Sequence, residues 1–312
     1  VGLRSPTIVN PPLGAAGSER RRDRHHYRVA PWRSAASGIL AARSRCSYAS
    51  DPRIQRGGRP LPIVQRARGR SAMKYRDRIF KAYATLGHRR SEPISLDEAD
   101  RWGIPYAHYF RGWLPAAKDA KIVDLACGFG RLLRFFTKRG YTNVMGVDLS
   151  GEEVELARKI HPNVVQANLL DFLKEHQNEF DLITATDIIE HLTKDEVLDF
   201  LDGVNGALRP GGRVILQTVN ADVPWGLMHR YHDLTHELAF NPHSIEWLLH
   251  LTGFSEARSR ECGPVAHGVA SSIRLVLWQV MRLRLILENL IETGAAGAGV
   301  MSRVFMASAV KR

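Results

Sequence analysis

Two sets of residues in this chain of 312 have types and spacings suited to chemistry. The first is Asp124-Leu-Ala-Cys-Gly-Phe-Gly130, followed 18 residues later by Asp148. Glycines where a strand meets a helix let the backbone approach a ligand with no Cβ in the way. In an open parallel sheet, ligands bind at the carboxyl ends of the strands, and an acid ending the second strand can accept from both hydroxyls of a ribose. Asp124 falls inside the first strand, where an acid is costly unless paired. It is suited to receiving a cationic ammonium or to ordering the turn. A lone GxG would equally be a tight strand-to-helix turn. Here Leu133 stands where the dinucleotide fingerprint requires its third glycine. That disfavours a pyrophosphate loop and favours a nucleoside cofactor without phosphates.

The second set is histidine. His191 follows the fourth expected strand, in Asp187-Ile-Ile-Glu190-His191, and His236 closes His229-Arg-Tyr-His232-Asp-Leu-Thr-His236. Both are candidates for a general base, and a packed structural histidine is the alternative at each. Three histidines in one loop suggest metal, but their spacing matches no site signature, and no metal is expected.

Positioning these groups requires alternating strands and helices. Short apolar runs at 121–126, 143–148, 163–166, 180–184 and 213–218 read as strands. Between them, 131–138, a segment opening at Gly151, 169–176 and 196–208 read as helices. Strands of this length separated by helices of about ten residues indicate βαβ units on a parallel sheet. Ahead of the first strand, 74–86 and 96–115 read as amphipathic helices, forming an N-terminal lid over 73–118. Beyond 218 follow a helix at 242–252, a strand near 254–262, an apolar helix at 270–292 and a last strand at 304–310. The expected architecture is α/β and Rossmann-like: seven strands, mostly parallel, helices on both faces, the last strand antiparallel.

Composition narrows the partners. The net charge of +12 resides in the first 72 residues, which hold fifteen arginines, no lysine and three acids. The remainder carries 29 bases and 29 acids, so no nucleic-acid partner is expected for residues 73–312. The first 72 residues read as a disordered leader. Their composition fits a transit peptide, a basic arm or sequence upstream of a true start at Met73. Cys46, Cys127 and Cys262 form neither a disulfide framework nor a zinc motif, so a reducing, cytoplasmic setting is expected.

Five motifs in order resemble the class I S-adenosylmethionine-dependent methyltransferases over roughly residues 105–262. Val123–Gly130 is similar to the family's first motif, Val147-Asp148-Leu149 to its ribose acid, and Gln166-Ala-Asn168-Leu169 to the adenine segment. Phe180–Leu192 and Leu208–Leu216 resemble the fourth strand with its loop and the turn into the fifth. The resemblance implies S-adenosylmethionine as cofactor. Ala126, Gly128 and Gly130 would lie along its methionine, Asp124 at its amino group, Asp148 on the ribose, and Leu149 and Leu169 about the adenine. Asn168 would accept from the adenine amino group, and Asp187 would complete the site. Tyr109 and Arg111 would close over the carboxylate.

The acceptor is less defined. Arg230–Pro242 and Gly263–Gly268 are similar to methyltransferases of bacterial polysaccharide and glycolipid pathways, implying O-methylation of a saccharide, with Trp225, Tyr231 and Trp247 as stacking faces. A quinone-type or other small-molecule O-methyltransferase is the alternative, suggested by the acid-x-x-Glu190-His191 pattern. A cofactor-binding scaffold without catalysis is a third reading. Charges at Arg274, Arg282, Arg284 and Glu288 argue against a membrane span at 270–292. Packing against the sheet is favoured there over peripheral contact with a membrane or partner.

Overall fold

The computed structural model describes residues 75–80 and 94–312. The arginine-rich leader, and the part of the expected helix 74–86 beyond Phe80, lie outside the described residues. The described chain begins with a short helix, α1 (Tyr75–Phe80), and then α2 (Leu96–Tyr109), which Ser95 caps by accepting from the Glu98 N–H. α2 ends earlier than the apolar pattern suggests, because a turn with Gly112 at φ +74° redirects the chain.

The alternation that follows is β1 (Ile122–Leu125), α3 (Arg131–Lys138), β2 (Val144–Asp148), α4 (Gly151–Arg158), β3 (Val164–Gln166), α5 (Leu169–Glu175), β4 (Phe180–Thr186), α6 (Lys194–Ala207) and β5 (Leu208–Val219). Then come α7 (Gly226–His232), α8 (Pro242–Leu251), β6 (Phe254–Glu261), α9 (Val269–Thr293) and β7 (Val304–Lys311). The strands form one seven-stranded sheet in the order β3-β2-β1-β4-β5-β7-β6. β1 to β5 pair in parallel, and β7 runs antiparallel between β5 and β6. The expected architecture is therefore the observed one.

The period of two along each strand sorts the side chains to opposite faces. Val123, Leu125, Ile183, Ala185, Val214 and Leu216 join Phe172, Phe200, Leu201 and Ile245 of α5, α6 and α8 in one core. Ile122, Leu182, Ile215 and Met306 join Phe110, Leu133, Phe135 and Val154 in the other, on the side of α2, α3 and α4. The chain order reverses between β1 and β4, so their carboxyl ends diverge into a crevice, the position at which doubly wound sheets bind ligands.

One expectation fails. α9 is not packed into the sheet: only Ser271 and Leu285 along it are buried. Among the described residues, no helix is long and apolar enough to cross a membrane.

Candidate functional site

A cavity of about 720 Å³ opens over the ends of β1, β2 and β4. Asp124, Ala126, Gly128, Asp148, Leu149, Asn168, Leu169, Asp187, His191 and His236 all line it. Two strand ends are bent alike. Ala126, just after β1, and Asp187, just after β4, sit at φ +54°, a region that non-glycine residues rarely occupy and that recurs at ligand sites. The Cys127 N–H donates to the Val147 carbonyl, and the Asp187 N–H to that of Gln217. Neighbouring strands thus hold both bends in place.

Register explains the acid in β1. Asp124 pairs with Thr184 of β4, whose hydroxyl donates to its Oδ1 at 2.7 Å. Burial pushes the Asp124 carboxyl up to about 7, the Thr184 bond opposes the rise, and the nearby Asp148 adds to it. Asp148 is oriented from both sides: Oδ2 accepts the Gly128 N–H at 2.9 Å and Oδ1 the Ser150 N–H at 2.8 Å. Ser150, two residues beyond Asp148, caps the following helix, α4.

The two glycines of the turn have different duties. A Cβ on Gly128 would meet nothing nearer than a Glu153 oxygen at 3.8 Å, so that backbone stays open to the cavity. Gly130, at φ +89°, does not line the cavity; a Cβ there would come within 3.4 Å of the Cα of Ala157. It serves the close approach of α3 and α4. Gly130→Ala is accordingly expected to destabilise the fold by about 1–3 kcal/mol. Urea unfolding checks this, and a change below about 0.5 kcal/mol would count against it.

Besides that of Gly130, three expected contacts are not made in the structure. Tyr109 lies away from the cavity, its hydroxyl donating to the Gly263 carbonyl at 2.5 Å. Arg111 is exposed and turned back to the His108 carbonyl at 2.7 Å. The end of α2 packs toward β6 instead of closing over the crevice. Asn168 does line the cavity, but its amide oxygen accepts the N–H groups of Leu170 and Asp171 as the cap of α5. Its side chain is thus set to offer its NH₂ rather than its oxygen.

Other lining residues carried weaker sequence signals. The Arg131 guanidinium stands 4.6 Å from the centroid of Phe129 and 5.3 Å from that of Trp102, putting a cation at the cavity one residue beyond Gly130. Arg76 of α1 donates to Glu196 and to the His191 carbonyl, so α1 contributes to the wall. Nothing local in the sequence announces either long-range contact.

The two histidines stand together, ring centroids 4.6 Å apart and nearly perpendicular. The His236 Nδ1 lies 2.9 Å from the His229 carbonyl. A carbonyl only accepts, so Nδ1 carries a proton, and in the neutral imidazole Nε2 holds the lone pair. The His191 Nδ1 lies 2.7 Å from the Thr235 hydroxyl, which itself donates to Asp233 at 2.7 Å, so His191 too is protonated on Nδ1. Burial foremost, then His236, lowers the His191 pKa to about 4. His191 is therefore neutral near pH 7.

Beneath them, the Glu190 carboxyl is buried and raised to about 8, by desolvation and then by Asp187; the Thr218 hydroxyl donates to it at 2.9 Å. Asp187 keeps an exposed surface toward the cavity; desolvation by the protein around its carboxyl raises its pKa, while Gln217 donates to it at 2.8 Å. Among the described residues, no group of three or more His, Cys, Asp or Glu side chains is arranged to hold a metal ion. Trp225, Tyr231 and Trp247 do not line the cavity.

Known proteins bear on this arrangement. A family model described as a methyltransferase domain matches residues 76–256. A ubiquinone biosynthesis O-methyltransferase of Vibrio parahaemolyticus is 28% identical over 110 residues, which is 33% of this chain and 45% of that protein. One from Psychrobacter arcticus is 28% identical over 153 residues, 45% of this chain and 56% of its own. The chain thus spans about half the length of these relatives. A solved S-adenosylmethionine-dependent methyltransferase from Archaeoglobus fulgidus is similar with a TM-score of 0.52 at 18% identity, over 76% of this chain and 100% of that one. At that identity the likeness is one of fold.

Proposed function

This chain belongs to the methyltransferase-domain family, and from that premise we propose that it transfers a methyl group from S-adenosylmethionine to a hydroxyl oxygen of a small-molecule acceptor. One observation carries the reading. A buried acid, an oriented acid and an open glycine turn converge on a cavity that also holds two histidines in contact.

The residues present suit the cofactor. Its electrophilic methyl, borne on a sulfonium, is what it supplies when bound. Asp148, its carboxylate already fixed by two backbone donors, is suited to the ribose hydroxyls. Leu149 and Leu169 offer apolar surface for the adenine, and the Asn168 NH₂ can donate to a ring nitrogen. The open backbone at Gly128 accommodates the methionine portion, whose ammonium Asp124 receives. Arg131 is the cation suited to its carboxylate, the part expected of Tyr109 and Arg111. A hydroxyl acceptor must lose a proton as its oxygen attacks. His236, less buried than His191 and with Nε2 set to accept, is the group for that step.

The named relatives favour the small-molecule alternative over a saccharide. They are ubiquinone biosynthesis O-methyltransferases, and the aromatic faces suited to a sugar ring lie outside the cavity. A phenolic hydroxyl is also easier for an imidazole to deprotonate than an alkyl one, since its pKa is near 10.

Calorimetric titration with S-adenosylmethionine, with NADH as control, tests the cofactor; heat from NADH alone would overturn the reading. Product mass after incubation with phenolic and saccharide acceptors tests the rest. Transfer only to saccharide would return that acceptor to first place. A pH dependence follows from Asp124. Its pKa in the unfolded chain is near the ordinary 3.8, against about 7 when folded. Its contribution to stability is therefore full below about pH 4 and is lost as pH rises through 7. The cationic ligand favours the ionised form, so affinity should rise roughly tenfold between pH 6 and pH 8 with net proton release. Titration in buffers of different ionisation enthalpy reads that release; a flat profile would exclude Asp124 from the ammonium site.

A further inference from the structure

α9 is held from behind and open in front. On its rear face, Arg282 donates to Glu261 at 3.0 Å and to the Gly299 carbonyl at 2.9 Å. Trp278 lies so close to Gly263 that a Cβ there would meet its Nε1 at 2.7 Å, and Leu285 is buried. Its front face is apolar and exposed: Val269 81%, Ile273 56%, Val276 64%, Val280 64%, Leu283 57%, Leu287 46% and Leu290 44%. These positions alternate at spacings of four and three along the whole helix. That 3.5-residue period is the seam of one helix packing on another.

We propose that this seam pairs α9 with α9 of a second copy of the chain, antiparallel about a twofold axis near Val280. Three observations choose this occupant and orientation. The exposed charges of the helix, Arg274, Arg284, Glu288 and Glu292, sum to zero, whereas helices that lie on a membrane surface carry a basic polar face. Reflection about Val280 sets Glu288 of one copy opposite residue 272 of the other, within a turn of its Arg274, so an antiparallel pair brings these opposite charges together twice. One flank of the seam carries exposed Leu277, Met281 and Ile291 among Arg274, Arg284 and Glu288, while the other carries Ser272 and Gln279. An antiparallel pair sets this mixed flank against its own counterpart, where Arg274 and Glu288 can meet; a parallel pair would set it against the flank of Ser272 and Gln279. The seam with Leu277, Met281 and Ile291 offers on the order of 800 Å² per copy, the share of each partner in a standard specific interface.

The proposal is independent of the chemistry at the cavity. Its test is sedimentation velocity of the full chain at micromolar concentration, wild type against V280E/L283E. Both positions are solvent-exposed in a single copy, so the variant should keep the fold, as its circular dichroism would show. The expected result is a wild-type dimer, with dissociation at least a hundredfold easier in the variant. Oxidative cross-linking then reads orientation: V280C should link copy to copy, and I273C should link only when combined with L287C. A wild-type chain that sediments as a monomer, whether or not it floats with phosphatidylcholine–phosphatidylserine vesicles, would overturn the proposal. So would a variant that remains dimeric, or linking by I273C alone.

Discussion

Alanine at His236 is expected to lower kcat by about 10²- to 10⁴-fold, the effect of losing a positioned general base. S-adenosylmethionine should bind the variant as it binds wild type. The expectation rests on tautomers that the fold imposes. The His229 carbonyl keeps the proton of His236 on Nδ1, leaving Nε2 to accept from the acceptor hydroxyl. His191 lines the same cavity but is a poorer proton acceptor, because burial holds its pKa near 4. Through Thr235 and Asp233 it is anchored as a neighbour that keeps the His236 ring edge-on. His191→Ala should therefore be milder, roughly tenfold in kcat, the size of one lost positioning contact. Steady-state kinetics at saturating cofactor, with calorimetric affinity measured in parallel, separates the two residues. If His191→Ala proves the more damaging, the roles are reversed. If His236→Ala loses cofactor affinity in step with kcat, His236 belongs to the cofactor site and not to proton transfer.

The second large effect is on binding. Asp148→Ala should weaken S-adenosylmethionine by about 10²- to 10³-fold, as expected from losing charge-assisted hydrogen bonds worth roughly 1.5–3 kcal/mol each. Two losses combine there. The ribose hydroxyls lose their acceptor, and the Gly128 and Ser150 N–H groups lose the carboxylate that fixes the glycine turn. Asp148→Asn separates these contributions only in part, because its NH₂ must confront one of the two backbone donors, so its deficit should approach that of alanine. Titration calorimetry on both variants, with thermal melting to show that the sheet persists, checks the argument. Affinity for the alanine variant within threefold of wild type would remove Asp148 from the cofactor site.

The local chemistry of the chain determined most of the sheet and the part of the cavity proposed to take the cofactor. Apolar runs of strand length, broken by helical periods, are enough to specify β1 to β5 in order, because parallel strands buried on both faces require nearly continuous apolar residues. Asp124, Gly128 and Asp148 were legible for the same reason: each sits at a strand end, where position in the chain nearly fixes position in space. Sequence could not show α7 or the exposure of α9, since an apolar helix reads alike whether it is packed or open. Nor could it show that the end of α2 turns Tyr109 and Arg111 toward β6, or that Asn168 gives its oxygen to a helix cap. The pairing of His191 with His236, the approach of Arg76 and the bends at Ala126 and Asp187 depend on contacts between segments far apart in the chain. Short-range pattern carries the strand ends and their acids. Tertiary packing alone decides which histidine is dry, which cation reaches the cavity and which apolar face is left for another molecule.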